Sequence, residues 1–224
     1  MNWLSGENEI SRNSKNVKLM TYDAARGVPA LDSEKQHHCY FYTGRNLLRA
    51  MGIERWEARW RQMYHELFKP SDYLQELLRS VRLPQNYVCV HIRFVNALGH
   101  FENGYDNYLP EAKQEQLVQA CLSAIESVKK REEAELYVFS DSRRFLNIAE
   151  EKSLNVLDAA HIGHITFEKS KSVHDKTFID FYAMAGSRKV YSVQGMGLYN
   201  SVFSQYAAIV GGAEYEAVSL ENTM

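Results

Sequence analysis

The clearest pattern in the chain is the apolar run Tyr87-Val88-Cys89-Val90, which continues into His91-Ile92-Arg93-Phe94. Its length and β-branched content predict a strand. Alternation along a strand then puts His91 and Arg93 on one face and Val90 and Ile92 on the other. From Val95 to Leu109 no period is sustained and Asn96, Gly99, His100, Gly104 and Asp106 interrupt the chain, which predicts a long loop. Beyond it, Pro110 marks the start of a long helix whose buried face carries Leu117, Cys121, Ala124, Ile125 and Val128. Lys129, Lys130 and Arg131 suit its negative end. Glu135–Phe139 reads as a strand, followed by Ser140-Asp141-Ser142 and a short helix with Phe145, Ile148 and Ala149, capped by Asp141 or Ser142. Leu154–Leu157 reads as a strand, Asp175–Gly186 as a helix and Lys189–Val193 as a strand. A turn from Gly195 then leads into a last helix. Strands alternating with helices from 87 to 210 predict a mostly parallel sheet with helices on both faces, a Rossmann-like α/β domain.

Ahead of this domain the patterning is weaker. Residues 1–16 are polar and expected to be poorly ordered. In 17–84, Val17–Tyr22 and Cys39–Tyr42 read as short strands, Arg45–Met51 and Glu54–Phe68 as helices. Trp56, Trp60, Met63 and Leu67 recur at helical spacing and predict a core-facing stripe. Pro70 ends that helix. Ser71 caps another with Leu74, Leu77, Leu78 and Val81 on one side, and Pro84 and Asn86 close it. The expected organisation is a polar tail, 1–16, a reduced segment, 17–84, mostly helical after 44, and the α/β domain, 85–224.

Composition narrows the class. A chain of 224 residues can bury a sizeable core, and a formal charge of -2 without a long basic run argues against nucleic acid or an anionic membrane as the main partner. Three scattered cysteines, Cys39, Cys89 and Cys121, have no metal-ligand spacing and suggest free thiols in a reducing compartment. No basic-then-apolar leader and no membrane-length apolar run is present, so the expectation is a soluble cytoplasmic protein.

Three stretches carry chemistry. His91 and Arg93 stand where the central strand meets its loop, the place where open α/β sheets bind ligands, and suggest an anion site; the alternative is a buried strand whose Arg reaches solvent. Asp180 lies in the apolar segment Thr177–Ala185, and a carboxylate there needs a partner. Either it pairs with Arg188 or Lys189, or it accepts the two adjacent N–H donors of guanine. Gly195 to Ala208 is a turn and a helix whose start, with the hydroxyls of Ser201 and Ser204, would suit a phosphate; an ordinary Ser-capped helix is the alternative.

In this order, His91-Ile92-Arg93, Ser140-Asp141, Asp180 and Ser201-Val202-Phe203-Ser204 resemble the nucleotide-binding domain of the fucosyltransferase superfamily, which includes α-1,2-, α-1,6-, nodulation-type and protein O-fucosyltransferases. Leu67–Ser71 is similar to that family's helix break before the first motif, so the resemblance runs over about residues 55–218. It implies the C-terminal donor-binding half of a GT-B glycosyltransferase, with GDP-fucose as donor, a glycan as acceptor, and transfer with inversion without an essential metal or other cofactor. Arg93 would be the catalytic residue, stabilising the leaving diphosphate. His91 and Asp180 would hold guanine, Ser201 and Ser204 phosphate, and Asp141 would complete the nucleotide site. No Asp-x-Asp metal signature occurs. The chain departs from several relatives in having Phe94 where they carry a second Arg and neutral Asn96 where they carry an acid, which leaves His100, Glu102 and Asp106 as unranked general-base candidates. The short segment before the domain leaves little room for an acceptor half. The facing wall would then come from a partner chain or a second copy, or the chain would be a non-catalytic nucleotide- or glycan-binding remnant of the same fold.

Overall fold

The computed structural model of the chain describes residues 49, 52–99, 108–157 and 171–220. The strands expected at Val17–Tyr22 and Cys39–Tyr42, the polar tail, and nearly all of the helix expected at Arg45–Met51 lie outside the described residues, as do His100, Glu102, Asp106 and Cys39. The chain divides into two units, Met1–Trp56 and Glu57–Met224. Of the first, only Arg49 and residues 52–56 are among those described. The second holds the sheet and the helices that cover it.

The elements in chain order are α1 (Trp56–Leu67), α2 (Asp72–Ser80), β1 (Tyr87–Ile92), α3 (Glu111–Arg131), β2 (Glu135–Ser140), α4 (Arg143–Glu151), β3 (Asn155–Val156), α5 (Lys171–Gly186), β4 (Lys189–Gln194), α6 (Phe203–Gly211) and β5 (Glu214–Ser219). The five strands form one sheet in the order β3-β2-β1-β4-β5, every neighbouring pair parallel. This is the Rossmann-type order, in which connections leaving β1 and β4 diverge and open a crevice at their carboxyl ends. The α/β class expected from the patterning is the observed one.

Alternation along the strands divides the core in two. Val88, Val90 and Ile92 point with Val138, Tyr191 and Val193 toward α3 and α4, where Leu117, Cys121, Ile125, Val128, Phe145 and Ala149 meet them. Tyr87 and Cys89 point with Phe139 and Val190 toward α5 and α6, against Ile179, Ala183, Met184, Ala207 and Ala208. His91 falls on this second face, in register with Phe139 on one side and Ser192 on the other. Pro110 takes the position just before α3 rather than its first helical residue. Ser71 caps α2 through the N–H of Leu74, and Ser142 caps α4 through that of Phe145. That leaves Asp141 for another task.

Two expectations are corrected. Only half of the apolar stripe on α1 packs: the helix buries no residue fully, Trp56 and Trp60 are partly buried, and Met63 and Leu67 are 47% and 71% exposed. The packed face shares Trp56 and Trp60 with the stripe and continues through Tyr64 instead of Met63 and Leu67. Trp60 meets Tyr206 with ring centroids 4.7 Å apart, the Tyr64 hydroxyl bonds that of Tyr182 at 2.7 Å, and Arg61 donates to the carbonyl of Gly211. Aromatic and polar side chains do this docking, so an apolar pattern that passes over Tyr64 finds only half of the packed face. The second correction is β5, absent from the sequence reading. Only edge residues of modest burial mark it, alternating Glu214 and Glu216 with Tyr215 and Ala217.

Candidate functional site

Arg93 lies one residue beyond β1, and its direction is fixed from the neighbouring strand. Asp141, the residue after β2, accepts the backbone N–H of Phe94 through Oδ1 and that of Val95 through Oδ2, both at 2.8 Å, and its Oδ2 is 3.2 Å from Nε of Arg93. Val95 has φ 54°, a left-handed conformation that a β-branched residue adopts at a cost of about 1–2 kcal/mol. The bond from Asp141 to its N–H holds it there. Burial pushes the Asp141 carboxyl up, while the Arg93 guanidinium and the two N–H groups pull it down. From the other side, Tyr199 donates its N–H to the carbonyl of Arg93 at 3.0 Å, tying β1 to the turn after β4. Gly195, Met196 and Gly197 all have positive φ, and a Cβ on Gly195 would come 2.7 Å from the carbonyl oxygen of Leu220. Glycine is required there by both conformation and space.

His91 projects toward α5 and α6 and is buried. Its ring lies 5.9 Å from that of Phe203, which in turn meets Phe181 at 5.4 Å. Burial, reinforced by the positive charges of Arg93 and Lys176, pushes its pKa down to about 3, so the imidazole is neutral. Its Nδ1 is buried without a hydrogen-bond partner among the described residues, and so is the hydroxyl of Ser204, at the start of α6. A stranded buried polar atom costs about 1–3 kcal/mol, and such atoms gather where a ligand completes the bonding. Ser201 accepts the N–H of Phe203 through its hydroxyl, so it shapes the entry to α6 although that helix has no side-chain cap.

Asp180 is paired, but not with Arg188 or Lys189. Its partner is Lys176, one turn earlier on α5, whose ammonium donates to both carboxylate oxygens. Arg188 pairs with Glu132, and Lys189 with Glu216 at 2.8 Å, at the amino end of β4. The six residue steps from Asp180 to Gly186 span about 9 Å of helix running away from the carboxyl edge, which puts those cations at the wrong end. Burial pushes the Asp180 carboxyl up; Lys176 and, more weakly, Arg143 pull it down. Lys176 is itself buried. It was missed in the sequence, where it falls in the first turn of the helix expected at Asp175–Gly186 and Arg188 and Lys189 were weighed instead. The signal available was its i,i+4 spacing to Asp180.

The structure thus brings His91, Arg93 and Asp141 to the carboxyl ends of β1 and β2, with Lys176 and Asp180 on α5, Ser204 on α6 and Ser201 in the turn before it, on the side that covers the His91 face. A cation braced by a carboxylate, a neutral imidazole and a buried ammonium–carboxylate pair offer donors and acceptors to a polar, anionic ligand. Among the described residues, no three His, Cys, Asp or Glu side chains converge as a metal site, and no helix is long and apolar enough to cross a membrane. Cys89 and Cys121 are buried free thiols pushed up to about 12, too protonated for nucleophilic work at neutral pH.

No family model and no curated protein matches the sequence. Among solved structures the chain is similar to NodZ α-1,6-fucosyltransferase soaked with GDP-fucose, with a TM-score of 0.44 and 14% identity over 68% of this chain and 47% of that one. It is also similar to the same fucosyltransferase co-crystallised with GDP (TM-score 0.38, 17% identity, 60% and 39%) and to apo POFUT1 (0.36, 12%, 73% and 49%). The chain spans about half the length of these proteins or less.

Proposed function

We propose that this chain is the donor-binding part of a glycosyltransferase, which binds a GDP-sugar, GDP-fucose in the first instance, and passes the sugar with inversion to a glycan acceptor. One observation carries the reading. His91-Ile92-Arg93 and Ser140-Asp141 lie at the carboxyl ends of β1 and β2, where the strand order of one parallel sheet reverses, and Asp180 and Ser201–Ser204, up to half the chain away in sequence, belong to the helix and turn–helix segments over the His91 face. In this reading the guanine lies against His91 and Asp180, and Ser201 and Ser204 donate to phosphate. Arg93, braced by Asp141, faces the diphosphate. As the bond from the sugar C1 to the phosphate oxygen breaks and the acceptor oxygen bonds to C1 from the opposite side, negative charge grows on GDP. A cation already in position stabilises that charge without reorganising. The acceptor proton passes to a base; His100, Glu102 and Asp106 are the candidates on the loop after β1.

A non-catalytic binding module is the second reading, favoured by Asn96, a buried neutral side chain where the resemblance leads one to expect an acid. Titration with GDP, ADP, UDP and inorganic phosphate tests the first step: GDP should bind at least tenfold more tightly than the others. Equal affinities would sink both readings. Turnover of GDP-fucose with glycan and peptide acceptors then separates enzyme from binder.

A further inference from the structure

The Lys176–Asp180 pair offers more than a neutralised carboxylate. An ammonium carries three donors and a carboxylate about four acceptor sites, so a contact between one nitrogen and two oxygens leaves both groups with bonding capacity, side by side on one helix. Burial of Lys176 and the near-burial of Asp180, 6% and 13% side-chain exposure, place that capacity where water competes poorly. The Watson–Crick edge of guanine presents an acceptor, O6, beside two donors, N1–H and the 2-amino group. A lone carboxylate satisfies the two donors and ignores the oxygen. Adenine would turn its own amino group toward the ammonium, donor against donor.

Resting on the GDP-sugar reading, we propose that Lys176 is a specificity-determining residue that donates to O6 of the bound guanine while Asp180 accepts from N1–H and the 2-amino group. The rest of the site is compatible with a buried ammonium. On the same face His91 is held neutral and the Cys89 thiol, which feels the Asp180 charge, is pushed up to about 12, while Arg143 adds a second positive charge acting on Asp180.

The test uses the intact protein and three diphosphates: GDP, 6-thioguanosine diphosphate, which keeps both donors but replaces O6 by a poorly accepting sulfur, and inosine diphosphate, which keeps O6 but lacks the 2-amino group. The wild type should favour GDP over the 6-thio analogue by about tenfold, the loss of one charge-assisted hydrogen bond. In Lys176→Met that ratio should fall below about threefold, while the preference for GDP over inosine diphosphate, which reports Asp180, persists. The inference is overturned if the wild type binds GDP and the 6-thio analogue alike, if Lys176→Met leaves the 6-thio ratio intact, or if both ratios collapse together. Because Lys176→Met strands a buried carboxylate, Lys176→Gln, which keeps a neutral donor, is measured beside it and should give an intermediate ratio; an unchanged ratio there overturns the inference too. The wild-type comparison stands even if neither variant folds. A preference for GDP over ADP without any reading of O6 removes this inference and leaves the function; loss of the GDP preference itself removes both.

Discussion

Asp141 reaches across from the end of β2 to hold Arg93 at the end of β1, with Oδ2 3.2 Å from Nε, while the same carboxylate binds the next two backbone N–H groups of the β1 loop at 2.8 Å. One side chain therefore fixes both the direction of the cation and the path of the chain beyond it. Its preorganisation comes from neighbouring parallel strands in register, Ile92 beside Ser140, which bring the two strand ends level.

Asp141→Asn should destabilise the fold by about 1–3 kcal/mol, because the amide turns a donor toward one of two backbone donors. Urea denaturation reads this. Arg93→Ala should weaken GDP binding at least tenfold while guanosine affinity changes less than threefold, since the lost bond is charge-assisted and local to phosphate. An equal loss for both ligands would assign Arg93 to folding alone.

His91 gives a pH dependence of defined sign. Its folded pKa of about 3 lies below its unfolded value of 6.5, so the unfolded chain takes up a proton that the native one excludes, and stability falls as pH drops from 6.5 toward 3. The slope contributed is about 1.4 kcal/mol per pH unit inside that window. Asp141 and Asp180, pushed up by burial, act in the opposite sense near the acid end. The difference between wild type and His91→Phe isolates the histidine: denaturation midpoints should diverge below pH 6.5 and run parallel above it. Parallel curves from pH 7 to 4.5 would mean that His91 is protonated in the native state.

The parallel sheet was legible because β1, β2 and β4 are buried on both faces and so read as continuous apolar runs, unlike β5, whose edge position leaves Glu214 and Glu216 to blur the signal. The candidate site was legible wherever a polar residue interrupts such a run, as His91 and Asp180 do. What a sequence does not encode locally is which partner completes a charge. Arg188 and Lys189 were the obvious cations for Asp180, yet the antiparallel course of α5 over β4 carries them to the opposite end of the sheet, and Lys176 takes the place. Asp141 was misleading in the same way, since a Ser-Asp-Ser before a helix offers two caps and only Ser142 serves.

The docking of α1 separates the two faces of that helix experimentally. Trp60→Ala removes the stack on Tyr206 and should cost about 2 kcal/mol, below the value for a fully buried aromatic because Trp60 is only half-buried. Met63→Ala and Leu67→Ala, on the exposed part of the stripe, should stay within about 0.5 kcal/mol of wild type. Thermal unfolding of the three variants checks the assignment. A large loss at Met63 or Leu67 would restore the stripe to the core.

At Gly211 the end of α6 comes close against the backbone of α5. A Cβ built there would lie 1.7 Å from the carbonyl oxygen of Ala185 and 2.8 Å from its Cα, and both obstacles are backbone, so no rotamer change relieves them. The helices would have to part, disturbing Ser204, Phe203 and the aromatic contact to His91 along the same helix. Gly211→Ala should therefore destabilise by about 3 kcal/mol or more, beyond ordinary overpacking, even though alanine is the better helix former. Gly197→Ala is the control: at φ 85° with nothing within 4 Å of the added carbon, it should cost only the conformational strain, about 1–2 kcal/mol. If Gly211→Ala unfolds at the wild-type denaturant concentration, the two helices do not pack at this distance in solution, and the placement of Ser204 against the His91 face fails with it.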